Sequence, residues 1–433
     1  MTWQHGVRFG LMGFPLALVG LPLYVYLPSH YATTTSLSLA AVGTILLASR
    51  LLDAVSDPWL GTRIGHWLQR PRRAAWASAA AALCLATGAV AAWHPPAQMP
   101  AAWLFGALVL AYLGLSLLTL WHGALGVRLG QTPAERATVA AWREGMGLMG
   151  VMAASAVLAT GSVTLLGWLL LATLVPAWWA LRGVARQTVA AAPPAGAGAS
   201  DTAGAWATLL RLAGNRPFVR LWQSYLLNAL AAAVAATVLP FYAADYLQAG
   251  SLLGGLLALY FVCAALSLPL WLRRVRAVGL IRAWRDGMVL ALLAFSVVTL
   301  LPPGQAAATG VFLLVCALTG CAAGADLACA PALLAGICQR WPHAVAEGPA
   351  LGCWTFATKA SLALAAGTTL PLLQLLGYQP GAATPAGGVS ALPWVYAGLP
   401  IVCKCLALCL LLRHRSEIQP SPTGTCNEAP ANP

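Results

Sequence analysis

About twelve apolar runs, each long enough to cross a bilayer, decide what this chain can fold into. They centre near Gly13, Ile45, Ala82, Val109, Met152, Leu171, Ala232, Leu257, Leu293, Leu318, Leu364 and Leu406. A transmembrane helix needs roughly 20 apolar residues. Charged residues make up only 8% of the 433 positions, where a soluble protein carries about 25%. Mean hydropathy is +0.77. The sequence predicts an all-α integral membrane protein. No signal peptide with a small-residue cleavage site is evident, so the first span is expected to be retained.

The net charge of +13 raises the question of nucleic acid, and its distribution answers it. Basic residues gather in alternate loops: Arg63, Arg70, Arg72 and Arg73 after the second span, then Arg128 and Arg136 after the fourth. Arg182, Arg186, Arg211 and Arg216 fall in the middle of the chain, Arg273 to Arg285 after the eighth span, and Arg413 and Arg415 at the end. The intervening loops have none. This is the positive-inside pattern. It predicts an even number of spans with both termini cytoplasmic, in a bacterial inner membrane. Nucleic-acid binding needs a contiguous basic face with a reading element, and neither is present. The expected partners are a small solute, a monovalent cation and the bilayer, with the protein a monomer.

The chain divides once. Residues 183–217 read as a cytoplasmic linker, because the stretch VAAAPPAGAGASDTAG from Val189 to Gly204 lacks packing residues. Residues 1–182 and 218–415 then hold about six spans each, and 416–433 read as a disordered tail. Two six-helix bundles joined by a linker suggest the major facilitator fold, with a solute site near the midplane between repeats. The 11 cysteines show no CxxC pair and no histidine at metal-ligand spacing, so they read as small hydrophobes.

Inside the second span lies Ser49-Arg50-Leu51-Leu52-Asp53-Ala54-Val55-Ser56-Asp57-Pro58-Trp59-Leu60-Gly61. Residues four apart share a helix face. A carboxylate at mid-bilayer depth costs about 2.5–3.5 kcal/mol on insertion scales. Two on one face also repel, so the pair points to a cation held between them, Na⁺ or H⁺, with Asp53 and Asp57 as its ligands. A structural network at a helix ending on Asp57-Pro58 is the plainer alternative. Lys359, one of two lysines in the chain, lies deep in another apolar span and needs a buried acid as partner.

The DAxxDPxxG core resembles the glycoside-pentoside-hexuronide (melibiose-carrier-like) cation symporters of the major facilitator superfamily. Further matches lie at Glu135-Arg136 to Trp142-Arg143, at Gly324-Ala325-Asp326-Leu327 with Pro331 to Ala335, and at Trp354-Thr355-Phe356-Ala357-Thr358-Lys359. The resemblance implies a cation site of Asp53, Asp57, Thr119 and Lys359, and a solute contact at Arg143. It also implies departures. Two sugar-binding acids of the family correspond to Ala17 and His122, Trp354 replaces a polar neighbour of Thr355, and the basic stretch before the eleventh span thins to Gln339-Arg340-Trp341-Pro342-His343. His122, Trp354 and Thr355 join Arg143 as candidate solute contacts.

The expected function is cation-coupled symport of a sugar or sugar-like solute by alternating access, with no resident cofactor and no enzymatic activity. The lost sugar acids leave open a lipid-like, lysophospholipid-type solute. A membrane prenyltransferase would also use DxxxD acids, but it needs two such motifs to clamp two metals, and Asp245, Asp286 and Asp326 stand alone. A transport-dead sensor or scaffold is the remaining class. Arg143 and Glu144, being adjacent, are expected to take different partners. Asp326 is expected to make a structural contact at a helix bend, and Lys404 to snorkel to the cytoplasmic interface.

Overall fold

The computed structural model describes residues 3–25, 27–35, 37, 39–68, 70–96, 98–159, 162–191, 205–340, 347–378 and 391–419. Among these there is no strand. The first span is broken into α1 (Trp3–Gly10), α2 (Gly13–Val25) and α3 (Leu27–Thr34). There follow α4 (Leu39–Leu68), α5 (Pro71–Ala92), α6 (Pro100–Leu129), α7 (Pro133–Ala159) and α8 (Val163–Ala191). The second half comprises α9 (Ala205–Gly214), α10 (Arg216–Phe241), α11 (Leu253–Val278), α12 (Leu280–Val298), α13 (Ala306–Arg340), α14 (Glu347–Leu375), α15 (Ala391–Pro393), α16 (Leu399–Arg413) and α17 (Arg415–Ile418).

Eight of the described helices are long and apolar enough to cross a membrane by length and composition. The other expected spans are the broken first one and α4, α7 and α12, which carry charge. Together they complete the twelve. Part of the expected linker is helical: α8 runs on to Ala191 and α9 covers Ala205–Gly214, while residues 192–204 lie outside the described residues. So do Trp341 to His343, and positions 420–433 of the tail.

Helix ends follow local chemistry. At the start of α7 the Glu135 backbone N–H donates to Thr132 Oγ1, while the Thr132 and Gln131 N–H groups donate to Glu135 Oε2. This is a reciprocal cap with Pro133 at the first helical position. Those two N–H donors hold the exposed Glu135 carboxyl below the usual carboxylate range. Its small contribution to stability is present above that range and is lost as pH falls through the lowered value. Proline sets the breaks elsewhere. π-helical turns at Tyr242–Tyr246 and Trp394–Gly398 follow Pro240 and Pro393.

Within the first half α5 packs on α6, α2 on α7 and α4 on α6. Within the second, α13 packs on α11 and α12, and α10 on α14 and α16. The halves meet where α4 and α6 face α14 and where α7 faces α11 and α13. One core runs through the first half and across this seam, and a second surrounds Tyr242, Phe295, Phe312 and Tyr396. Rings there stack closely, with Tyr242 4.7 Å from Tyr396 and 5.0 Å from Tyr246.

Candidate cation and solute site

Helix α4 sorts its residues by face. Leu47, Leu51, Val55 and Trp59 are exposed, while Ser49, Asp53, Asp57, Leu60 and Ile64 are buried. The helix does not stop at Pro58 but continues to Leu68, so the acids lie in the middle of the helix and not at its end. Gly61 and Gly352 let α14 come against it. A Cβ on Gly352 would stand 2.5 Å from the Asp57 carbonyl oxygen, and one on Gly61 would collide with the Gly348 carbonyl. Small residues allow such close backbone approach between membrane helices.

At this contact α14 places Lys359 between the two acids. Its Nζ is 2.5 Å from Asp53 Oδ2 and 2.7 Å from Asp57 Oδ2. Ser116 on α6 completes the cluster: its hydroxyl donates to Asp53 Oδ1 at 2.6 Å and accepts from Lys359 Nζ at 3.1 Å. Asp57 is fully buried, and among the described residues its Oδ1 has no hydrogen-bond partner. An oxygen-only donor set with an orphaned carboxylate oxygen fits a hard monovalent cation or a proton. The formal charge of Asp53, Asp57 and Lys359 is −1, and one monovalent cation brings it to zero. One turn earlier on α4, Arg50 lies 5.4 Å over the Tyr112 ring.

The structure brings together Asp53, Asp57 and Lys359 from the sequence-derived set. Thr119, one turn beyond Ser116 on α6, is half-buried and makes no hydrogen bond among the described residues. Ser116 was the residue missed. Its signal was present, since Ser116 and Thr119 are three apart and share a helix face. Groups of three or more His, Cys, Asp or Glu side chains able to hold a metal are absent among the described residues.

The solute candidates are placed less uniformly. Arg143 on α7 is partly exposed at the seam, but adjacency to Glu144 does not send the two apart as expected. The long arginine stem curls back, and Nε and Nη2 both meet Glu144 Oε1, at 2.9 and 2.5 Å. His122 is in the core, its Nε2 2.9 Å from the Phe9 carbonyl oxygen and its ring 4.3 Å from the Phe9 ring. Trp354 is buried and stacked on Tyr225 of α10 at 3.6 Å. The Thr355 hydroxyl donates back to the Leu351 and Gly352 carbonyls of its own helix. Tyr225 of α10 and Thr358 of α14, both in the second half, join their hydroxyls at 2.8 Å, a contact the sequence did not disclose.

Lys404 does not snorkel. It is 4% exposed, and its Nζ donates to Asn228 Oδ1 at 2.6 Å and to Asp326 Oδ2 at 3.4 Å. Asp326 Oδ1 also accepts from Trp284 Nε1 at 2.7 Å. Burial forces this pairing, because a lone ammonium among α10, α13 and α16 would be far costlier than one on a carboxylate.

At the arginine-rich end, the halves are tied directly. Arg128 of α6 meets Glu347 of α14 at 2.7 Å, Arg136 donates to Gln339 Oε1 at 2.8 Å, and Gln339 Nε2 donates to the Gly130 carbonyl at 2.6 Å.

Solved transporters share this architecture. A bacterial homologue of the iron transporter ferroportin in an outward-facing state superposes with a TM-score of 0.72 at 16% identity, covering 95% of this chain and 99% of that one. The human organic anion transporter MFSD10 gives 0.64 at 16%, over 97% and 100%. The E. coli fucose:proton symporter gives 0.62 at 12%, over 95% and 97%. At such identities the likeness is one of fold alone. Residues 8–416 match the family of MFS/sugar transport proteins, to which this chain belongs.

Proposed function

We propose that the protein is a cation-coupled symporter of a small polar solute, working by alternating access with its arginine-rich end in the cytoplasm. The observation that carries this reading is the bridge made by Lys359. The acids stand on the first half of the molecule and the ammonium on the second. A cation entering between Asp53 and Asp57 competes with that ammonium, so ion occupancy alters a tie between the halves. The neutral, loaded site costs less to carry through a low-dielectric interior than a charged one. At about 100 mV, inward movement of one charge contributes about 2.3 kcal/mol. That supports roughly 50-fold accumulation, since about 1.4 kcal/mol is tenfold. Arg143, Glu144, Tyr225 and Thr358 offer the polar groups at the seam for a hydroxylated, sugar-like solute.

The test is thermal stability of the purified protein in Na⁺, Li⁺ and K⁺ across pH, for wild type and Asp57→Asn. A ligand of the folded state stabilises by RT ln(1 + [L]/Kd), so the solute need not be known. A sodium- or lithium-specific rise in Tm that disappears in Asp57→Asn supports the ion site. A response to pH alone removes the metal cation and leaves the proton as coupling ion. No response to any of these sinks the proposal.

A further inference from the structure

The second buried ion pair faces a cavity that the cation site does not use. Lys404, Asp326 and Asn228 stand among α10, α13 and α16, and beside them opens a space of about 130 Å³. Its walls are apolar over most of their extent, with Leu239, Leu256, Phe261 and Phe295 alongside alanines of α10, α12 and α13. A few polar groups also line it: Asp326, Lys404, and the hydroxyl-bearing Tyr260, Tyr396 and Thr319. An apolar pocket with a few polar groups is the form of a small-molecule site. We infer that this cavity is a second binding site, for a small neutral amphipath built on one six-membered ring with a single hydroxyl or amide.

Size, charge and wall chemistry each narrow the occupant. An apolar protein cavity of about 150 Å³ admits one benzene, so this one holds a single ring. Lys404 and Asp326 already balance each other at 3.4 Å, and a ligand bearing net charge would leave that charge uncompensated in the membrane interior. The Lys404–Asp326 pair can satisfy one ligand group. The Lys404 ammonium has three N–H donors, two of them directed to Asn228 and Asp326, and the Asp326 side chain is 20% exposed and can accept. A monosaccharide ring is disfavoured, because it bears hydroxyls all round and those turned to alanine, leucine or phenylalanine would each cost several kcal/mol. The site is therefore chemically distinct from the seam, where Arg143 and Glu144 stand.

Fluorine NMR of para-fluorobenzyl alcohol titrated against the full chain in lipid nanodiscs tests this. The expected result is a saturable bound signal, displaced by unlabelled benzyl alcohol. Toluene, benzylamine and benzoate, lacking either the hydroxyl or neutrality, should compete at least tenfold less well. Ala323→Leu fills the cavity and should weaken binding at least tenfold, and Ala236→Leu on the facing helix provides a second filling variant if the first fails to fold. Asp57→Asn should bind the probe as wild type does, which separates this site from the cation site. Purely non-saturable partitioning, equal competition by toluene, or undiminished binding in a folded cavity-filling variant would overturn the inference.

Discussion

At the scale of single residues, the cation site is built from groups whose cost in an apolar environment differs widely. Carboxylates and ammonium groups are expensive inside a bilayer, so Asp53, Asp57 and Lys359 stand out from the sequence, and the Lys359 ammonium lies within 2.7 Å of both acids. A hydroxyl is cheap there and can satisfy itself on its own helix, so nothing in the sequence ranks Ser116 above Thr119. Only the turn of α6 decides. Hydrogen bonds to charged groups contribute about 1.5–3 kcal/mol, and about 1.4 kcal/mol is tenfold in affinity. Ser116→Ala should therefore raise the cation concentration that half-stabilises the protein about tenfold, while Thr119→Ala changes it less than twofold. Titrating Tm with cation in both variants checks this, and the reverse order would return Thr119 to the site. The same limit hid Glu144 as the partner of Arg143 and Asp326 as that of Lys404. A flexible stem chooses its partner by packing, which spacing along the chain does not encode.

At the scale of helices, the legible signals were apolarity and charge, and the hidden ones were contacts. The sequence showed the spans and their alternation of basic loops. It did not show that α4 continues through Pro58, because a proline within a membrane helix is tolerated where neighbours cover the freed backbone groups. Here α14 is pressed against α4 at Asp57 and Pro58 by glycines. Adding a methyl at this contact should drive the helices apart. Gly352→Ala brings its Cβ to 2.5 Å from the Asp57 carbonyl oxygen, and overpacking of this kind costs about 1–3 kcal/mol. The shift should favour separation of the halves at the arginine-rich end and expose Cys338, which is 5% accessible in the closed arrangement. Alkylation of Cys338, followed by peptide mass analysis, should accelerate about fivefold or more in Gly352→Ala. Gly310→Ala, whose added methyl meets nothing within 4 Å, should leave the rate unchanged. Equal rates in both variants would show that the α4–α14 contact does not hold that end shut.

At the scale of the whole molecule, α14 carries the ion-pair ties between the halves found among the described residues. Glu347 at its start pairs with Arg128, and Lys359, twelve residues on, pairs with Asp53 and Asp57. At 1.5 Å per residue the two lie about 18 Å apart on one helix, so releasing either end lets the rod move against the first half. The Arg128–Glu347 side chains are 18% and 15% exposed, which places the pair between a surface bridge of about 0–1 kcal/mol and a buried one. Glu347→Gln should accordingly raise Cys338 alkylation several-fold, and the charge-swapped pair Arg128→Glu with Glu347→Arg should restore most of the wild-type rate. Linkage adds a stricter requirement. If the bound cation changes the balance between closed and open arrangements, breaking the end tie must change cation affinity in a way fixed by the same coupling free energy. The cation's half-saturating concentration should therefore move in Glu347→Gln, although Glu347 touches neither acid, and return in the swapped pair. Faster alkylation with an unaltered cation titration would mean that the two ties act independently, and that occupancy between Asp53 and Asp57 does not govern the arginine-rich end.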